Sequence, residues 1–79
     1  MRVVVFGATR GIGLEVVKEL VAQGHAVRAF ARDPSALAGL PVEVAHGDVL
    51  RPETVRAAVA GMEAVVSALG QELYGSHVY

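Results

Sequence analysis

A chain of 79 residues is at most one small domain. Its 53% hydrophobic and 19% charged residues exclude a disordered chain, and its net charge of −1 gives no general attraction to nucleic acid or an anionic membrane. With no cysteine there is neither a disulfide framework nor thiolate chemistry, which fits a reducing compartment. No apolar run approaches membrane-spanning length, and with the first strand beginning directly after Met1 no leader is expected. The expected setting is the cytoplasm.

Residues 2–6 read as a strand: Val3, Val4, Val5 and Phe6 leave neither face polar, as in a central parallel strand. A glycine-rich turn follows, and Ile12 to Gln23 reads as a helix. Ile12, Val16, Leu20, Val17 and Val21 make its apolar stripe, and Gly24 its left-handed cap. Ala26 to Ala31 is a second strand, with Val27 and Phe30 as its larger apolar residues. Asp33-Pro34 looks like a helix start, with Asp as N-cap and Pro in the first turn, and a short helix is expected to about Leu40, ended by Pro41.

Val42 to His46 is a third strand, with Val42, Val44 and His46 alternating, and Gly47-Asp48 the turn beyond it. Pro52 to Ala60 forms the next helix, with Val55 and Val59 facing inward and Gly61 closing it. Ala64 to Leu69 is a fourth strand; Gln71 to Tyr79 shows no strong periodicity. Strands alternating with helices imply right-handed crossovers and an α/β, Rossmann-type doubly wound parallel sheet: its first four βα units, in strand order 3-2-1-4. So small a parallel sheet is marginal alone, so residues 1–79 are expected to be the N-terminal part of a larger dinucleotide-binding domain.

Ligands of such sheets bind beyond the carboxyl ends of the strands. Four segments fall there: the Gly7–Gly13 turn, Arg32-Asp33, Gly47-Asp48-Val49 and Ser67-Ala68-Leu69-Gly70. The turn has Gly-x-x-x-Gly-x-Gly spacing between an apolar strand and a helix, which suits a phosphate: the amides at a helix start lack partners within the helix and carry the positive end of its dipole. Gly7 takes the tight turn, Gly11 permits close approach of a pyrophosphate, and Gly13 lets the helix pack on the strand. Thr9, Arg10 and Ile12 complete this candidate cofactor-binding segment. Arg10 is either a second positive charge for the cofactor or a solvated surface residue.

Arg32 stands 19 residues after Gly13, where such units place the group that reads the adenosine ribose. The preceding Ala29-Phe30-Ala31 carries no carboxylate for a 2′-hydroxyl, whereas arginine pairs with a 2′-phosphate. NADP(H) is therefore expected over NAD(H). Asp33 is a rival ribose ligand, though the proline after it favours a cap. Asp48 either accepts from the adenine amino group, with Val49 packing on the ring, or is a plain turn aspartate. Ala68, Leu69 and Gly70 pass beside the ribose or simply end the strand. His25, His46 and His77 are too scattered for a metal site, and Tyr74 has no lysine four residues on, since position 78 is Val. The catalytic residues are not identified.

Phe6-Gly7-Ala8-Thr9-Arg10-Gly11-Ile12-Gly13, Gly24-His25-Ala26-Val27-Arg28, Ala31-Arg32-Asp33-Pro34-Ser35, Val42-Glu43-Val44 with Gly47-Asp48-Val49, and Val65-Val66-Ser67-Ala68-Leu69-Gly70 together resemble the atypical short-chain dehydrogenase/reductases. The nearest group is the NAD(P)H-binding family with NmrA-like regulators and biliverdin/flavin reductases. Arg10 replaces a glycine common in that family, as in NADP-preferring members. Arg51 stands where an aspartate often caps the helix, a difference of about 1 kcal/mol. The resemblance implies the adenosine-diphosphate half of a cofactor site, with the catalytic residues and substrate pocket in following segments. It implies either a reductase moving hydride between the nicotinamide and a small-molecule substrate, or a non-catalytic NADP(H) sensor with a regulatory protein partner. The unpaired edge of the fourth strand leaves homo-oligomer formation open.

Overall fold

The computed structural model describes residues 1–9 and 11–68. Strand β1 (Arg2–Phe6) leads into helix α1 (Gly11–Ala22), then β2 (Ala26–Ala31), a 3₁₀ turn (Pro34–Leu37), β3 (Glu43–His46), α2 (Pro52–Val59) and β4 (Ala64–Ser67). The strands form one parallel sheet in the expected order β3-β2-β1-β4, and the alternation of elements favours right-handed crossovers.

Period-2 alternation along the strands divides the core into two layers. Val3, Val5, Val27, Ala29 and Ala31 meet Val17 of α1, with Leu14, Val16, Leu20 and Val21 packed around them. Val4, Phe6 and Phe30 meet Ala58 of α2, flanked by Val55, Val59, Ala45 and Met62. The Phe6 and Phe30 rings lie 4.7 Å apart and tilted by 40°. With Val4 and Val5 fully buried, β1 is the central strand its unbroken apolar run predicts.

Element ends follow local chemistry. At the end of α1, Gly24 (φ 89) is left-handed; its N–H donates to the Val21 carbonyl at 3.0 Å and the His25 N–H to that of Leu20 at 3.1 Å, a paired C-terminal cap. The segment after Asp33 is shorter than its pattern suggests. Asp33 accepts from the Ser35 N–H at 3.1 Å, as an N-cap should, but Ala38 already leaves helical geometry (ψ 135), so a single 3₁₀ turn ends at Leu37. β3 starts one residue later than predicted: Val42, just before it, packs on the α1-side layer, whereas Val44 on this edge strand is 43% exposed.

Arg28 ties β2 to its surroundings: Nε donates to Glu43 Oε1 at 3.0 Å, and Nη1 to the carbonyls of Ala58 at 2.8 Å and Ala60 at 3.0 Å. A guanidinium thus meets the carbonyls left open at the end of α2.

Candidate functional site

Parallel register brings the carboxyl ends of all four strands to one edge of the sheet. Two bonds carry the pairing one residue further: the Gly47 N–H donates to the Ala31 carbonyl and the Ala68 N–H to the Phe6 carbonyl, both at 3.0 Å. The segments beginning at Gly7, Arg32, Gly47 and Ala68 therefore leave the sheet side by side. Leu69 and Gly70 lie outside the described residues, as does Arg10.

The first segment is built from what its residues lack. Gly7 (φ 75) and Gly11 (φ 59) are left-handed, a conformation that costs most residues with a Cβ. A Cβ on Gly13 would stand 1.6 Å from the Gly7 carbonyl oxygen, so α1 can begin this close to β1 only without a side chain there. Ala8 is fully buried beneath the turn; Thr9 is half-buried and Gly11 exposed. No acidic residue occupies the first turn of α1, so no carboxylate there would repel an anion from the positive end of its dipole. Ile12 differs from the predicted inward stripe. It is 56% exposed because the first turn overhangs the end of β1, and Leu14 packs against the core in its stead. A hollow of about 690 Å³ follows the outer side of α1; of the candidate residues it touches Gly11 and Ile12.

Arg32, one residue beyond β2, is exposed and takes no part in the side-chain hydrogen bonds or ion pairs among the described residues. Asp33 beside it is occupied by its cap. The Ser35 N–H, the Ser35 hydroxyl and, more weakly, the charge of His46 hold its carboxyl below the usual range, against a small opposing desolvation. Asp33 is thus the cap that the following proline suggested, and Arg32 is exposed beside it.

The third segment is built from side-chain bonds. Asp48 Oδ1 accepts from the Leu50 N–H at 2.9 Å, the turn role foreseen as one of its two readings. The Asp48 N–H donates to Thr54 Oγ1 at 3.2 Å, and the Asp48 carbonyl accepts from the Arg51 N–H at 2.9 Å. Val49 is 45% exposed at the tip. Gly47 is buried, and a Cβ there would fall 2.7 Å from Thr54 Cβ and 2.8 Å from the Phe30 ring. Thr54 was missed in the sequence. Its one signal is a hydroxyl residue in the first helical turn, where back-bonding to a preceding carbonyl is common. Among the described residues no group of acidic, histidine or cysteine side chains could hold a metal ion.

A glycine turn opening a helix, beside an arginine without a side-chain partner among the described residues at the edge of a parallel sheet, suits a dinucleotide's phosphates. A family described as NAD(P)H-binding matches residues 7–76. The chain belongs to the NAD(P)H-binding family. Its fold agrees with that of a short-chain dehydrogenase/reductase superfamily protein from Agrobacterium tumefaciens with bound NAD, at a TM-score of 0.73 and 30% identity, over 85% of this chain and 20% of that one.

Among curated relatives, sterol demethylase protein B of Methylococcus capsulatus is 44% identical over 66 residues, covering 80% of this chain and 20% of the relative. A photosystem II assembly factor of Synechocystis is 32% identical over 71 residues, covering 86% and 22%. The chain thus spans about a fifth of the length of the curated relatives it matches. In this NAD(P)H-binding family member, the positive φ at Gly7 and Gly11 fits a turn that brings a diphosphate against the backbone, and the missing side chain at Gly13 lets α1 start close on β1.

Proposed function

We propose that this chain is the NADP(H)-binding unit of a short-chain dehydrogenase/reductase-type oxidoreductase acting on a small-molecule substrate. The observation that carries the reading is the glycine turn at the start of α1, at the same sheet edge as the exposed Arg32. Gly7, Thr9, Arg10, Gly11, Ile12 and Gly13 hold the diphosphate through backbone amides. Arg32 neutralises the 2′-phosphate. Asp48 and Val49 receive the adenine, Asp48 through the carboxylate oxygen not used by Leu50. Ala68, Leu69 and Gly70 border the ribose. The bound cofactor supplies hydride chemistry at its nicotinamide, and these residues orient it.

The test compares NADPH with NADH in the wild type and in Arg32→Ala. A guanidinium–phosphate pair at an exposed edge should make NADPH bind about tenfold more tightly, and the substitution should erase that difference while leaving NADH unchanged. Equal affinities in the wild type would contradict the assignment of Arg32.

A non-catalytic NADP(H) sensor with a regulatory protein partner is the second reading. It is favoured by one observation: a relative at 32% identity is named an assembly factor. Turnover by the full protein separates the two.

A further inference from the structure

We propose that Thr54 is a positioning residue for the nucleotide: its hydroxyl sets the loop from Gly47 to Leu50 so that Asp48 and Val49 face the adenine. The inference rests on the nucleotide-binding reading above and goes beyond it, since Thr54 itself touches no ligand.

One hydroxyl stands within hydrogen-bond reach of three backbone groups and bonds two of them at a time. Thr54 Oγ1 accepts from the Asp48 N–H at 3.2 Å. Its single proton is within reach of two carbonyls, Asp48 O at 2.8 Å and Arg51 O at 2.7 Å, and donates to one at a time. The Asp48 carbonyl also accepts from Arg51, and the Arg51 carbonyl from the Thr54 N–H, both at 2.9 Å, so the hydroxyl closes a ring of bonds between loop and helix. On the sheet side Gly47 is wedged between Thr54 Cβ and the Phe30 ring, with no room for another atom. Phe30 is buried in the core, which limits how far its ring can shift. The loop's freedom therefore depends on the hydroxyl. Asp48 Oδ1 is spent on the Leu50 N–H, which fixes the carboxylate plane and leaves its second oxygen as the adenine acceptor.

Valine keeps the shape of Thr54 and removes both its donor and its acceptor. The Asp48 N–H then turns to water and the loop samples other arrangements. Apparent affinity scales with the fraction of molecules in the competent arrangement, so a drop to about a tenth weakens binding about tenfold. A loss of fold alone would weaken all nucleotides equally. Loss of the Asp48 carboxylate placement removes the preference for adenine over a base without its amino group.

The experiment titrates the full chain, as wild type, Thr54→Val and Thr54→Ser, with NADPH and with its hypoxanthine analogue, following reduced-nicotinamide fluorescence. The wild type and Thr54→Ser should bind NADPH about tenfold more tightly than the analogue, the worth of one hydrogen bond to a charged acceptor, and in Thr54→Val the ratio should fall to one. An unchanged ratio in folded Thr54→Val overturns the proposal, as does a wild type that binds both nucleotides equally; that second result leaves dinucleotide binding standing. A wild type that binds neither overturns the parent reading and this one with it. If Thr54→Val does not fold, amide exchange in the wild type decides. The Asp48 N–H should exchange about tenfold more slowly than the Val49 N–H and slow further with NADPH but not with the analogue. An unprotected Asp48 amide overturns the proposal.

Discussion

The glycine turn before α1 and the loop before α2 reach the same edge of the same sheet by opposite means. The first is defined by side chains that are missing. Gly13 leaves space for the Gly7 carbonyl, and Gly7 and Gly11 take conformations that a Cβ would oppose. The second is defined by side chains that bond: Asp48 to the Leu50 amide, and Thr54 to the Asp48 amide and carbonyl. A surface of bare amides suits a diphosphate, which looks alike in every dinucleotide. A surface of placed carboxylate and apolar groups suits a base, where discrimination is needed. The contrast also predicts different sensitivities: the turn fails when an atom is added, the loop when a hydrogen bond is removed.

Gly13→Ala should have the largest effect. The added carbon would stand 1.6 Å from the Gly7 carbonyl oxygen, and backbone cannot step aside cheaply. We expect destabilisation of about 3 kcal/mol or more, seen in urea unfolding, with loss of nucleotide binding. Gly47→Ala comes next. Its clashes are with the Thr54 side chain and the edge of the Phe30 ring, so part of the strain can relax, and about 1 to 3 kcal/mol is expected. If the two glycines proved equally costly, the distinction between turn and loop would be blunted.

Arg51→Asp sharpens the comparison by adding a side-chain bond where one is lacking. Arg51 occupies the N-cap of α2 in extended geometry (φ −117, ψ 95) without a side-chain cap bond, and its pairing with Glu53 at 3.1 Å is exposed. An aspartate should cap the helix and stabilise the protein by about 0.5 to 1 kcal/mol in thermal unfolding, since the exposed pair contributes little.

The smallest effect concerns Asp33. Its carboxyl lies below its ordinary pKa in the folded protein, so its cap contributes stability above the unfolded pKa and loses it as pH falls through the folded one. Asp33→Asn, which caps without titrating, should flatten that acid limb slightly. An identical pH profile would show that the cap is not felt globally.

The limits of β1 and β2, the Gly24 cap and the Asp33 cap were legible because each depends on neighbours in sequence, and strand order followed from the alternation of elements. Unbroken valines mark a central strand, glycine after an apolar stripe marks a helix end, and Asp-Pro marks a turn start. The roles of Ile12 and Thr54 were not. Ile12 fits the helical stripe, and its exposure comes from α1 starting beyond the end of β1, a matter of relative placement. Thr54 matters because Gly47 is pressed against Phe30 from another strand, a contact no local pattern records. The segment after Asp33 was overextended because apolar spacing does not reveal where Ala38 abandons helical geometry.

The most direct test of the central claim is an amide NMR titration of the full protein with NADPH. The account predicts that the largest shifts fall on the amides of Gly11, Ile12 and Gly13, with smaller ones at Arg32 and Asp48, and none along the opposite edge at His25. A folded protein whose Gly11 to Gly13 amides stay unmoved at saturating nucleotide would contradict it.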